Sequence, residues 1–115
     1  MKQCNFCQLE NEVILLKSAN FYLIKAKQPV VKHHFLLVSR AHFRNETEIA
    51  PPNWTEYQEM SQKVYKYLRS ITGRYPLCYI NPPQMQSVPH FHKHYLDGRF
   101  GVHGVANALK NYLVS

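Results

Sequence analysis

Residues 90–94 read His-Phe-His-Lys-His. Three imidazoles at every second position demand an extended strand, because alternate strand side chains point to one face. Successive rings then stand about 6.6 Å apart on a common surface. A helix would scatter them, and Pro89 with its aromatic neighbours opposes one. Two chemistries suit such a surface. H-x-H pairs on strands ligate metals, and one ring can attack a substrate while its neighbours assist. A chance triplet among seven histidines is the bland alternative.

The chain has 115 residues, the size of one domain over residues 1–115 with a core of its own. Residues 20–27 alternate as a strand, ended by Gln28-Pro29. Residues 34–39 (His-Phe-Leu-Leu-Val-Ser) predict a buried strand. Residues 44–53 are polar, contain Pro51-Pro52 and predict a loop. Tyr57, Met60, Val64, Tyr67, Leu68 and Ile71 recur at helical spacing, which predicts a helix over 54–71. Asn53 or Thr55 caps it, and Gly73 ends it. Residues 74–80 and 88–96 predict two more strands around a loop at 81–87. A loop at 97–104 and a short terminal helix over 105–113 complete the chain. The predicted class is α+β: an antiparallel sheet with one long helix across it and a short C-terminal helix.

The formal net charge of +7 favours an anionic partner. Apart from Lys25, Lys27 and Lys32 the positive residues are spread out, and no separate nucleic-acid domain fits in this length. Phosphate on a small substrate explains the sign, so nucleic acid is not the expected partner. No apolar run nears the roughly 18 residues needed to cross a bilayer. The start, Met-Lys-Gln-Cys-Asn-Phe-Cys, lacks the apolar stretch of a signal peptide. The expected location is the cytoplasm, with no membrane partner. Three cysteines do not make a disulfide framework. Cys78 reads as a small buried hydrophobe. Cys4 and Cys7 form a C-x-x-C pair, either a metal site or two free thiols.

Several segments now combine. They are His34-Phe-Leu-Leu-Val-Ser-Arg-Ala-His42, Asn81, Gln86-Ser87-Val88-Pro89 and the 90–94 strand. In order and spacing they resemble the histidine triad family, over about residues 4–99. Lys93, Ser39 and Met85 depart from that family's usual hydrophobic residue, Pro and Gly. The 81–86 loop is shorter than in many members and carries two prolines, and the segment after Arg99 matches no branch.

The resemblance implies a nucleotide hydrolase or transferase. His92 is then the nucleophile on the α-phosphate, forming a covalent histidine–nucleotide intermediate. Residue chemistry agrees. Neutral imidazole has a pKa of about 6.5, and the middle ring is flanked by the other two. Its second nitrogen needs an acceptor, such as a backbone carbonyl, to fix the tautomer. His94 and His34 are implied to stabilise phosphoryl oxygens, Gln86 to bind a non-bridging oxygen, Ser87 to assist the leaving group and Asn81 to hold phosphate. Asn81 beside Pro82 also reads as a plain turn residue. The substrate is a purine nucleotide derivative, and Phe6, Leu9, Phe21 and Leu23 are candidates for its base. His33 alternates to the opposite face.

Relatives with an N-terminal C-x-x-C imply one structural zinc held by Cys4, Cys7, His42 and His90. Two thiolates and two imidazoles close a tetrahedral shell. The family also implies a homodimer, for which Tyr65 on the helix is a candidate contact. A nucleotide- and zinc-binding module with weak or no catalysis is the alternative.

Overall fold

A computed structural model describes residues 4–7 and 13–98. The predicted terminal helix over 105–113, the loop beyond residue 98 and Leu9 lie outside the described residues. Five strands form one antiparallel sheet: β1 (Ile14–Lys17), β2 (Phe21–Lys25), β3 (His34–Ser39), β4 (Pro76–Tyr79) and β5 (His92–Asp97). Their spatial order is β1-β2-β3-β5-β4. A single long helix, α1 (Trp54–Thr72), packs across one face.

The predicted class holds, with corrections in detail. β1 was not expected: Ile-Leu-Leu-Lys has no clean alternation, and a register irregularity between Ile14 and Leu16 breaks its pairing with β2. The last strand starts at His92 rather than at residue 88, so His90 precedes it. The two loops contain 3₁₀ turns at Glu46–Glu48, Pro51–Asn53 and Pro83–Met85. Of the two predicted caps, Asn53 stands at the N-cap position of α1 and Thr55 does not. The Pro51-Pro52 turn runs straight into the helix, and Asn53 makes no side-chain cap bond. Gly73 ends α1 as predicted: its φ of 74° is left-handed, and its N–H donates to Arg69 O at 2.9 Å.

Strand parity divides the molecule into two layers. Phe21, Leu23, Phe35, Leu37 and Tyr95 point to the helix and meet Tyr57, Met60, Val64, Leu68 and Phe91. Of the predicted helix stripe, Tyr67 is half-buried and Ile71 lies 43% exposed at the end. Ile24, Leu36 and Val38 face the other way, with Phe6, Tyr22 and Ala26. All six residues of β3 are buried, with apolar residues 35–38 between His34 and Ser39. Phe21 and Leu23 are therefore core residues, not base contacts. Ile24 and Leu36 take the pocket side instead. Cys78 is half-buried, and its thiol donates to the Tyr65 hydroxyl at 3.3 Å. Burial raises its pKa. His33 sits on the helix side of the sheet, its ring 6.5 Å from Phe35.

Glu56 in the first turn of α1 reaches back to the β1–β2 turn. It accepts from the Ser18 hydroxyl, from Asn20 N at 2.6 Å and from Asn20 Nδ2 at 2.7 Å. Burial pushes its pKa up, but these donors outweigh it and the net direction is down. Among the described residues no helix is long and apolar enough to cross a membrane.

Candidate active site

Parity and register place three histidines on the pocket side. In the β3–β5 ladder Leu36 pairs with His94, Val38 with His92 and His34 with Leu96. His34, His92 and His94 are each at most 6% exposed, and all three line a pocket of about 340 Å³. Phe6, Ile24, Leu36 and Val88 supply its apolar wall; Lys25, Lys27, Gln28 and Ser87 supply polar groups. Phe6 stands edge-on to the His92 ring at 5.1 Å.

The partners of each ring settle its tautomer. His92 Nδ1 lies 2.7 Å from the carbonyl oxygen of His90. A carbonyl only accepts, so Nδ1 carries the proton and Nε2 keeps its lone pair. Burial lowers the His92 pKa, and the carbonyl contact opposes that shift in part. His34 Nε2 and His94 Nδ1 are 2.9 Å apart. The Val30 N–H donates to His34 Nδ1 at 3.1 Å. The Tyr79 ring stacks on His94 at 4.2 Å and 7°. Burial, then the neighbouring His92, pushes the His34 pKa down to about 4. Burial, His92 and His34 push that of His94 down to about 3.

His90 has its own role. Its ring turns away from the pocket, toward Cys4, Cys7 and His42. The four donor atoms lie within 4.8 Å of one another. Cys4 Sγ to His90 Nδ1 is 3.4 Å, Cys7 Sγ to His42 Nδ1 is 3.1 Å, Cys7 Sγ to His90 Nδ1 is 3.5 Å, and the two Nδ1 atoms are 3.2 Å apart. Ligands of a tetrahedral zinc stand about 3.3–3.8 Å apart, given bonds of about 2.0–2.3 Å. His90 Nε2 donates to Ser39 O at 2.7 Å and approaches Ser39 Oγ at 3.1 Å. That leaves Nδ1 unprotonated and aimed at the cluster. The donor set therefore fits zinc. Ser39, a departure from the family pattern, gains a purpose: its hydroxyl donates to Ala41 O and helps hold His90.

The loop residues divide. Ser87 lines the pocket, whereas Gln86 and Asn81 are not among its lining residues. Gln86 Oε1 accepts from Arg44 Nε at 3.2 Å, and its Nε2 donates to Arg44 O at 2.7 Å and Asn81 O at 3.4 Å. Arg44 also donates to Pro83 O. Arg44 and Ser39 are the contacts to Gln86 and His90 that sequence reasoning missed. Arg44 lies 42 residues before Gln86, and no local pattern joins them.

The HIT domain family model matches residues 8–101. A HIT family protein from Bacillus anthracis superposes with a TM-score of 0.77 at 16% identity, covering 97% of this chain and 93% of that one. A zinc-bound histidine triad family protein from Mycobacterium smegmatis superposes at 0.74 with 21% identity, covering 86% and 77%. A CWF19-like protein 1 homolog from Drosophila melanogaster is 27% identical over 73 residues, 60% of this chain. The chain spans only 13% of that relative's length. With the family model matching most of its length, the chain belongs to the HIT domain, or histidine triad, family.

Proposed function

We propose that this protein is a nucleotide hydrolase or nucleotidyltransferase acting through a covalent histidine–nucleotide intermediate. One observation carries the reading: His92 bonds Nδ1 to a main-chain carbonyl and keeps a lone pair on Nε2, in a buried ring at a nucleotide-sized pocket. Nε2 attacks the α-phosphorus of a nucleoside phosphoramidate, phosphate ester or dinucleoside polyphosphate. The N–P bond forms as the bond to the leaving amine, alkoxide or phosphate breaks. Water or another acceptor then attacks the same phosphorus, releasing the nucleoside monophosphoryl group and restoring His92.

His34 and His94 stand beside the phosphoryl oxygens, and Ser87 at the pocket edge assists departure of the leaving group. Gln86 and Asn81 hold the loop that carries Ser87. Lys25 at the mouth favours an anionic ligand. Phe6, Ile24 and Leu36 receive a purine base. Cys4, Cys7, His42 and His90 would hold one structural zinc, which when bound ties residues 4–7 to the segment leading into β5. The three free cysteines support a reducing compartment such as the cytoplasm. β4 at the edge of the described sheet, with Tyr65 beside it, supports an isologous homodimer.

A second reading, a nucleotide- and zinc-binding module with weak or no catalysis, draws on Gln86. Its amide is engaged by Arg44 rather than offered to the pocket. Incubation with adenosine 5′-phosphoramidate or a diadenosine polyphosphate decides between them. Release of AMP by the native chain, lost in His92→Asn, is the expected result. AMP binding without turnover on either substrate would support the module.

A further inference from the structure

His34 and His94 together form a hydrogen-bonded pair whose direction is imposed from outside. A main-chain N–H can only donate, so His34 Nδ1, 3.1 Å from Val30 N, must accept and carries no proton. The proton of this neutral ring is on Nε2, which donates to His94 Nδ1 at 2.9 Å. His94 then holds its own proton on Nε2. That atom is buried and has no hydrogen-bond partner among the described residues. A buried orphan donor is unfavourable until a ligand acceptor meets it, and His94 borders the pocket.

We propose that the Val30 main-chain N–H is a positioning group that makes His94 a fixed hydrogen-bond donor, which selects a ligand with an oxyanion at that point. The inference rests on the nucleotide reading for the identity of that ligand, but the tautomers stand apart from it. Val30 is well placed to hold the setting. Its side chain packs with Leu77 and Tyr79 around buried Leu96, and Tyr79 stacks on His94. The polarity also separates the roles of the three pocket rings. His34 spends its N–H on His94 and His94 presents its Nε2–H, so neither offers a nucleophile; of the three rings His92 alone presents a free lone pair.

The test reads tautomers directly from the ¹⁵N shifts of the histidine rings in the full chain. The expected result is a protonated Nε2 and a bare Nδ1 on both His34 and His94. A protonated Nδ1 on His94 would overturn the proposal. Val30→Pro deletes the N–H, and Val30→Ala keeps it. In Val30→Pro the His94 proton shifts toward Nδ1, and affinity for AMP falls about tenfold, as expected for a lost hydrogen bond to a charged acceptor. Val30→Ala, which keeps the N–H, retains the native His94 tautomer. A folded Val30→Pro chain with the native His94 tautomer, or with a switched tautomer and native AMP affinity, would refute it. Should Val30→Pro not fold, the native shifts still decide the direction of the pair. Should the native chain bind no AMP, the nucleotide reading fails while the shifts continue to report on Val30.

Discussion

His90 and His92 are joined through one main-chain atom: the carbonyl oxygen of His90 accepts from His92 Nδ1 at 2.7 Å. The ring of the same His90 lies in the Cys4–Cys7–His42 cluster. One residue contributes its ring to the cluster and its carbonyl to the tautomer of His92. The cluster and the pocket are thus adjacent through His90 although their side chains point apart.

The cluster predicts a stability effect. Purified protein should carry about one zinc per chain, and chelation should lower its unfolding temperature. Cys4→Ser binds less zinc and unfolds about 5–10 °C lower, a shift that corresponds to roughly 1–2 kcal/mol in a domain this size. Metal analysis and a thermal scan of the same samples check both. An unchanged midpoint would remove the tethering role.

The depressed histidines predict acid sensitivity. His34 has a pKa of about 4 in the fold and about 6.5 when unfolded. Between those values the unfolded chain binds more protons, so stability falls as pH drops through that window and is fully present above it. His94, lowered to about 3, acts in the same direction. Urea midpoints at pH 7, 5.5 and 4.5 should decline in that order, and His34→Gln should flatten the decline. A flat native profile contradicts the burial argument.

Glu56 predicts a coupling between α1 and the β1–β2 turn. Its three bonds to Ser18 and Asn20 join segments 36 and 38 residues apart. Glu56→Ala should destabilise by about 1–3 kcal/mol, the range for hydrogen bonds to a charged group. In a double-mutant cycle with Ser18→Ala the interaction energy should be at least about 0.5 kcal/mol. Additivity of the two variants would mean that the contact carries no energy.

Arg44 predicts a kinetic effect with little change in stability. It is exposed and bonds Gln86 and Pro83 in the turn before Ser87. Arg44→Ala should leave the unfolding temperature within about 2 °C, as for a surface substitution. Turnover of adenosine 5′-phosphoramidate should fall about tenfold as Ser87 loses its position. Native kcat and KM in this variant would show that the guanidinium is incidental.

Much of the site was legible in the chain itself, for a physical reason. A period of two over 92–94 and the run from His34 to Ser39 oblige alternate residues to share a face, whereas His90 precedes β5 and turns to the cysteines instead. That is why His34, His92 and His94 meet, and why the order of elements from β2 to β5 followed from pattern alone. β1 escaped because its four residues carry no alternation and its pairing is irregular. The base-side residues were misassigned at Phe21 and Leu23 because alternation says which residues travel together, not which face the helix covers. Contacts with Tyr57, Met60, Val64 and Leu68 decide that.

The sequence by itself determined the α+β class and the shared face of His92 and His94, while the set of sulfur and nitrogen donors followed from the family resemblance. Only the tertiary structure decided how each ring is protonated. A tautomer depends on whether a donor or an acceptor stands at each nitrogen. Those partners are the Val30 amide and the Ser39 and His90 carbonyls, main-chain groups that every residue type possesses and that chain folding alone brings into place.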